Sequence, residues 1–189
     1  MTRAPRTWAT QRLEEPGFAQ IPGALAEGRC AELLTAINGG STGRAGARHL
    51  LDVPSCQKLA ATLKAHAQVG PLLPRGAVAV QCTLFYKSPE KNWLVALHQD
   101  LSIPVRERVP HPECTGWSEK EGVLYVQPPV AVLELLVAVR AHLDDCGSAS
   151  GPLRVVPGCI GTAACLRRPP ARCAGSVASS SASLAGVTS

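Results

Sequence analysis

The chain has 189 residues, of which 46% are hydrophobic and 17% charged, and its net charge is +5. That length suits a single domain with a buried core, and the composition excludes a disordered chain. No apolar run reaches the ~18–20 residues of a membrane span, and residues 1–6 lack the apolar core of an export signal, so a cytoplasmic protein with no membrane partner is expected.

Three of the positive charges are Arg167, Arg168 and Arg172, in a stretch without acidic residues, which leaves +2 (5 minus 3) on the rest of the chain. No basic stripe interleaves with aromatics, so nucleic acid is not an expected partner. Eight cysteines are scattered without C-x-x-C or zinc-type spacing. With no export signal they read as reduced thiols, mostly small core residues.

Residues 1–16, with scattered Arg and Pro, read as a flexible lead-in. Residues 17–22 read as a short strand ended by Pro22. Residues 26–37 place Cys30, Leu33, Leu34 and Ile37 at the i, i+3, i+4, i+7 spacing of an amphipathic helix. Asn38-Gly39-Gly40 stops it, because glycine takes the left-handed cap conformation readily. After a Gly-rich loop, a second helix is expected with Ser55 as N-cap, running to about residue 68. It would bury Leu59 and Leu63 and carry His66 on its face. From residue 77 the period changes to two, and residues 77–86 read as a strand. Gln81, Thr83, Phe85 and Lys87 share one face of it; Val80, Cys82 and Leu84 share the other.

The chemistry is concentrated in residues 85–105. There His98-Gln99-Asp100 sets an imidazole and a carboxylate one residue apart. On a strand, i and i+2 point to the same face, so the two side chains converge. One imidazole nitrogen and one carboxylate oxygen are two thirds of the facial triad that holds non-haem Fe(II) and leaves other positions open. By itself the pattern is equally that of two polar residues on a surface strand. Residues 93–97 are an apolar segment expected to bury it. Residues 106–121 read as a long polar loop, with Trp117 as a lid or an anchor and His111 solvated. Residues 124–127 and 130–143 read as strands, the second with Arg140 and His142 on one face. Residues 153–156 read as a further strand ending at Pro157-Gly158. Helices followed by at least five strands make an α+β chain.

The segments N-W-x-V-x-x-H-Q-D-L (92–101) and H-L-D-D with G-P-L-R-V-V-P-G (142–145 and 151–158) resemble the phytanoyl-CoA dioxygenase family. The resemblance covers residues 17–158. It implies an Fe(II)- and 2-oxoglutarate-dependent oxygenase on a jelly roll (a double-stranded β-helix) with an N-terminal helical layer. It also implies iron ligation by His98 and Asp100, with 2-oxoglutarate and O₂ as cosubstrates and a small-molecule substrate hydroxylated at an unactivated C–H bond. In the family the barrel wall near Gln81 and Thr83 leans over the cosubstrate, which makes both candidate cofactor-binding residues; the alternative is a plain polar sheet face. Counting back from Pro157-Gly158, Arg140 stands where family members lean a side chain toward 2-oxoglutarate. Its guanidinium is thus a candidate partner for a cosubstrate carboxylate, the alternative being a pair with Asp144 or Asp145. His142, on the same face, is a candidate for the missing third iron ligand.

The resemblance stops at Cys159. Residues 159–189 contain no His, Phe, Trp, Tyr, Asp, Glu or Lys and hold six serines among Ala, Gly and Arg. A tail of that composition is expected to be disordered. The family places there a distal iron-binding His and, a strand later, an Arg for the far carboxylate, so their loss implies an impaired enzyme. Codon degeneracy accounts for the break. Cys-Ile-Gly-Thr-Ala-Ala-Cys-Leu can be written TGC ATC GGC ACG GCC GCC TGT CT, which from its third base reads His-Arg-His-Gly-Arg-Leu-Ser, a family-like continuation. The expected organisation is a lead-in at 1–16, an incomplete dioxygenase jelly roll at 17–158, and a truncated or frameshifted tail at 159–189. Two readings compete with the enzyme: a non-catalytic truncated barrel, and a cupin-like module that binds a small ligand without redox chemistry.

Overall fold

The computed structural model describes residues 17–38, 46–87, 93, 95–96, 98–146, 151–156 and 183–187. The first amphipathic segment forms α1 (Glu27–Asn38), which buries Leu33 and Ile37. Helix α2 (Pro54–Ala65) buries Cys56, Leu59 and Leu63. Its N-cap is Val53, with Pro54 at the first helical position, so the N-cap expected at Ser55 lies two residues earlier. Proline suits that position because the N–H it lacks has no partner there anyway. The helix also ends earlier than residue 68. His66 leaves the helical region at ψ 133, and its Nδ1 accepts the N–H groups of Gln68 and Val69 at 3.2 and 3.3 Å. It caps the exit from the helix.

The strands, in chain order, are β1 (Gly46–Ala47), β2 (Val78–Phe85), β3 (Ile103–Val105), β4 (Thr115–Lys120), β5 (Val123–Gln127), β6 (Val137–Arg140) and β7 (Ser183–Val187). They form two sheets, ordered β1-β2-β7-β6 and β3-β5-β4, and every pairing is antiparallel. Among the described residues the sheets do not close into a barrel. The architecture is therefore α+β with antiparallel sheets. Among the described residues no helix is long and apolar enough to cross a membrane.

Five expectations about the chain path need correction. Residues 17–22 form no strand; Ile21 instead packs against the core as a partly buried side chain. Residues 98–101 are irregular and the strand begins only at Ile103. The supposed loop 106–121 gives up its second half to β4. Residues 130–143 are not one strand: Val130–Leu133 is a helical turn (α3) after Pro129, and only Val137–Arg140 is extended. Residues 130–139 are apolar at every position but Glu134, so no clear period separates the two, and Pro129, by presetting its own φ, favours the turn. Around Leu153–Val156 there is only a bridge at Arg154.

The tail expectation also fails in part. Residues 159–182 and 188–189, like the lead-in 1–16, lie outside the described residues. Residues 183–187, however, form β7, paired with β2 on one side and β6 on the other. Ladder pairing uses backbone groups alone, so small residues can complete a sheet that large side chains elsewhere make stable.

One core joins these elements. Leu33 and Ile37 of α1, Cys56, Leu59 and Leu63 of α2, Cys82 and Leu84 of β2, and Ala141 and Leu143 beyond β6 pack into one cluster. Cys30, Cys56, Cys82 and Cys114 are free thiols. Burial, with Cys56 beside it, pushes the Cys82 thiol up to about 12, so it behaves as a small apolar residue. The Cys30 thiol donates to the His142 carbonyl at 3.6 Å and links α1 to the chain beyond β6. Leu33 is fully buried at the centre of the cluster. Leu33→Ala is expected to cost about 2–5 kcal/mol in urea unfolding, with the exact value set by how far the cavity collapses.

Candidate metal and ligand site

The site is built on a hairpin and the irregular chain facing it. β4 and β5 are joined by two residues, Glu121 and Gly122, with φ of 53° and 79°. Two positive φ values make a turn whose twist matches that of the flanking strands. The hairpin is tied to the first sheet by Arg48, whose Nη1 donates to Glu121 Oε1 at 2.8 Å. Both side chains are 44% exposed, so the pair is worth less than about 1 kcal/mol and acts as a positional tie. His49, itself at φ 59°, has Nε2 3.3 Å from the Lys120 carbonyl and its ring 6.1 Å from that of Tyr125.

Opposite this hairpin, residues 98–102 run toward β3, which pairs with β5. Between them lies an open cavity of about 390 Å³, lined among others by His98, Asp100, Ser102, Ser118, Lys120 and Gln127. The His98 Nδ1 lies 2.7 Å from the Ala96 carbonyl, and a ring nitrogen facing a carbonyl must be the donor. In the neutral ring this leaves Nε2 with its lone pair, 3.4 Å from Asp100 Oδ1. The expected convergence is thus present, but it arises in irregular chain and not by strand alternation. The side chains are 56% and 94% exposed, so the pair faces open solvent and the burial expected from residues 93–97 is corrected; Val95 is itself exposed.

The donor set suits a cation on two counts. An acceptor nitrogen is oriented by a hydrogen bond from its partner nitrogen, and an anionic oxygen stands beside it. Among the described residues there is no group of three or more His, Cys, Asp or Glu that could hold a metal. The fit is that of two ligands of a triad.

The other expected site residues lie elsewhere. Gln81 Nε2 donates to Thr83 Oγ1 at 3.0 Å, and Thr83 is buried. Thr83 and Arg140 both pair with Ser183, which places the two residues on one face of the first sheet. The Arg140 guanidinium sits 5.8 Å from the Phe85 ring centre, and its buried Nε has no hydrogen-bond partner. Burial lowers the Arg140 pKa from its ordinary value, the mark of a cation with its hydration stripped. His142 follows on the same side, because Ala141 and Leu143 turn into the core around it. Burial, and then the neighbouring Arg140 charge, hold its imidazole below the ordinary value. Gln81, Thr83, Arg140 and His142 are not among the walls of the His98–Asp100 cavity.

Trp117 is on β4, half-buried, with the Arg108 guanidinium 5.0 Å from its ring centre. It is a strand residue and not a loop lid. His111 accepts the Glu113 N–H on Nδ1 at 3.3 Å and closes a local turn. The cavity walls at Ser102, Ser118, Lys120 and Gln127 escaped the sequence reading. The signal for them was Lys120-Glu121-Gly122-Val123, a two-residue hairpin connection ending in glycine.

The family model described as Phytanoyl-CoA dioxygenase (PhyH) matches residues 13–159. No curated protein and no solved structure matches the chain. The match ends where the composition changes.

Nothing lies within 4 Å of a Cβ built on Gly122, so its φ of 79° is the only obstacle to a side chain there. Gly122→Ala is expected to cost about 1–2 kcal/mol in urea unfolding through the left-handed backbone alone.

Proposed function

The chain belongs to the phytanoyl-CoA dioxygenase family, and we propose that it is an Fe(II)- and 2-oxoglutarate-dependent oxygenase with its metal at His98 and Asp100. The family is one of oxygenases acting on small molecules. The observation that carries the metal assignment is the 3.4 Å separation of His98 Nε2 and Asp100 Oδ1, with Nδ1 engaged on Ala96. When bound, Fe(II) with 2-oxoglutarate and O₂ supplies the oxidising power to hydroxylate a C–H bond, with succinate and CO₂ as coproducts.

The chain's own part is to hold and orient. His98 presents a fixed nitrogen, and Asp100 offsets part of the metal's charge. Arg140 is assigned a carboxylate of 2-oxoglutarate, with Gln81 and Thr83 as hydrogen-bonding groups beside it. The lone Nε and stripped hydration of Arg140 support this, because such a cation gains most from a bidentate anion. The role requires a jelly roll in which this face of β2 and β6 looks into the same interior as His98 and Asp100. We assign the third ligand to a histidine further along the family-like reading frame of the tail, the frame that opens His-Arg-His-Gly-Arg-Leu-Ser. The end of the family match at residue 159 supports that frame. Resequencing the gene there, with a clean read in the present frame, would remove the argument. In the chain as it stands, His142 is the substitute, and turnover is expected to be impaired.

A non-catalytic barrel is the second reading, favoured by the lack of a three-ligand cluster among the described residues. Fe(II) titration separates the two. His98→Ala is expected to abolish Fe(II) binding, and Asp100→Ala to weaken it by more than about 100-fold, since loss of mere ligand-orienting groups already costs 10–100-fold. Arg140→Ala is expected to weaken 2-oxoglutarate by about 10- to 100-fold, the range of a charge-assisted bond. Iron affinity unchanged in both ligand variants places the metal elsewhere.

A further inference from the structure

Lys120 is a half-buried cation at the wall of the His98–Asp100 cavity. Its Nζ lies 4.7 Å from the Tyr125 ring centre and 3.4 Å from Ser102 Oγ. Among the described residues no carboxylate forms an ion pair with it, although the nearby Arg48–Glu121 ion pair is made. Glu121 is the next residue in sequence, yet its carboxylate is committed to Arg48. The ammonium is therefore held over an aromatic face, which fixes its position without neutralising it.

Beside His98 and Asp100, the remaining polar walls are neutral: the Ser102 and Ser118 hydroxyls and the Gln99 and Gln127 amides. Hydroxyls and amides donate readily to an anion, while Lys120 adds the charge. The sole acidic wall, Asp100, is the proposed metal ligand. We infer that Lys120, with Ser102 and Ser118, seats a carboxylate of the substrate, so that this enzyme acts on a small organic acid. The inference rests on the metal reading only for its catalytic meaning; the anion seat itself needs no metal. A cavity open to solvent at this hairpin admits a substrate larger than the seat, with its carboxylate on Lys120 and its body along the walls toward His98.

The test uses the full chain without metal, titrated with straight-chain monocarboxylates from acetate to octanoate and with the matching amides. The expected result is saturable binding of an acid, weakened by added salt and at least tenfold tighter than its amide. Lys120→Met should erase that preference and Lys120→Arg should keep it, with circular dichroism showing both variants folded. No saturable binding of any acid by the parent, or an unchanged preference in Lys120→Met, overturns the inference. A parallel titration with 2-oxoglutarate identifies the source of the anion. If Lys120→Met weakens 2-oxoglutarate and leaves the monocarboxylates alone, the seat belongs to the cosubstrate and the substrate assignment is wrong. Fe(II) titration of the parent and His98→Ala reads the metal site separately, so failure of either claim is recognised by itself.

Discussion

Strand β2 can present only every second side chain to one side, and the rest of the structure depends on that constraint. Cys82 and Leu84 turn into the helical core, where α1, α2 and the chain beyond β6 meet them. Gln81, Thr83 and Phe85 are thereby forced onto the opposite face, where the Phe85 ring carries the Arg140 guanidinium. A one-residue slip would exchange the two sets, burying a glutamine among leucines. The apolar face is held by about 25 cal/mol for every Å² withdrawn from water. That gain is what keeps a polar, half-buried face assembled on the far side, with one unpartnered guanidinium nitrogen.

The second sheet shows how weak local forces place chemical groups without a large core. Only Tyr125 and Val126 are buried in it. Its hairpin is positioned by a left-handed turn, an exposed ion pair to Arg48 and the His49 contact to a backbone carbonyl. None of these contributes much stability, but together they set Lys120 and Ser118 across from His98 and Asp100. The site that results is polar and open. Such a site can exchange ligands freely, and it relies on oriented donors and charge for its selectivity.

The parts of the fold legible in the sequence were those with a strong period. Helix α1 was read from Cys30, Leu33, Leu34 and Ile37, and β2 from its alternation, because burial imposes those spacings directly. The family was legible from two motifs. The His98–Asp100 convergence was legible too, though the side chains meet in irregular chain with His98 oriented by the Ala96 carbonyl, where a strand had been the expected cause. Residues 130–143 were misread because their first ten positions, apolar but for Glu134, carry no clear phase. The β4–β5 hairpin was missed because Trp117, Ser118, Glu119 and Lys120 look like a polar loop, although the Glu121-Gly122 turn marks two paired strands. The pairing of β7 was invisible in its residues, since it rests on backbone groups that every sequence shares.

The central claim is that His98 and Asp100 form part of an iron site whose turnover needs the histidine of the family-like reading frame. Succinate release from 2-oxoglutarate tests this most directly, comparing the chain as it stands with the same chain carrying the restored frame after Gly158. The account predicts Fe(II)-dependent succinate from the restored chain, little from the present one, and none from the restored chain with His98→Ala. Succinate formed without iron, or undiminished by His98→Ala, would contradict it.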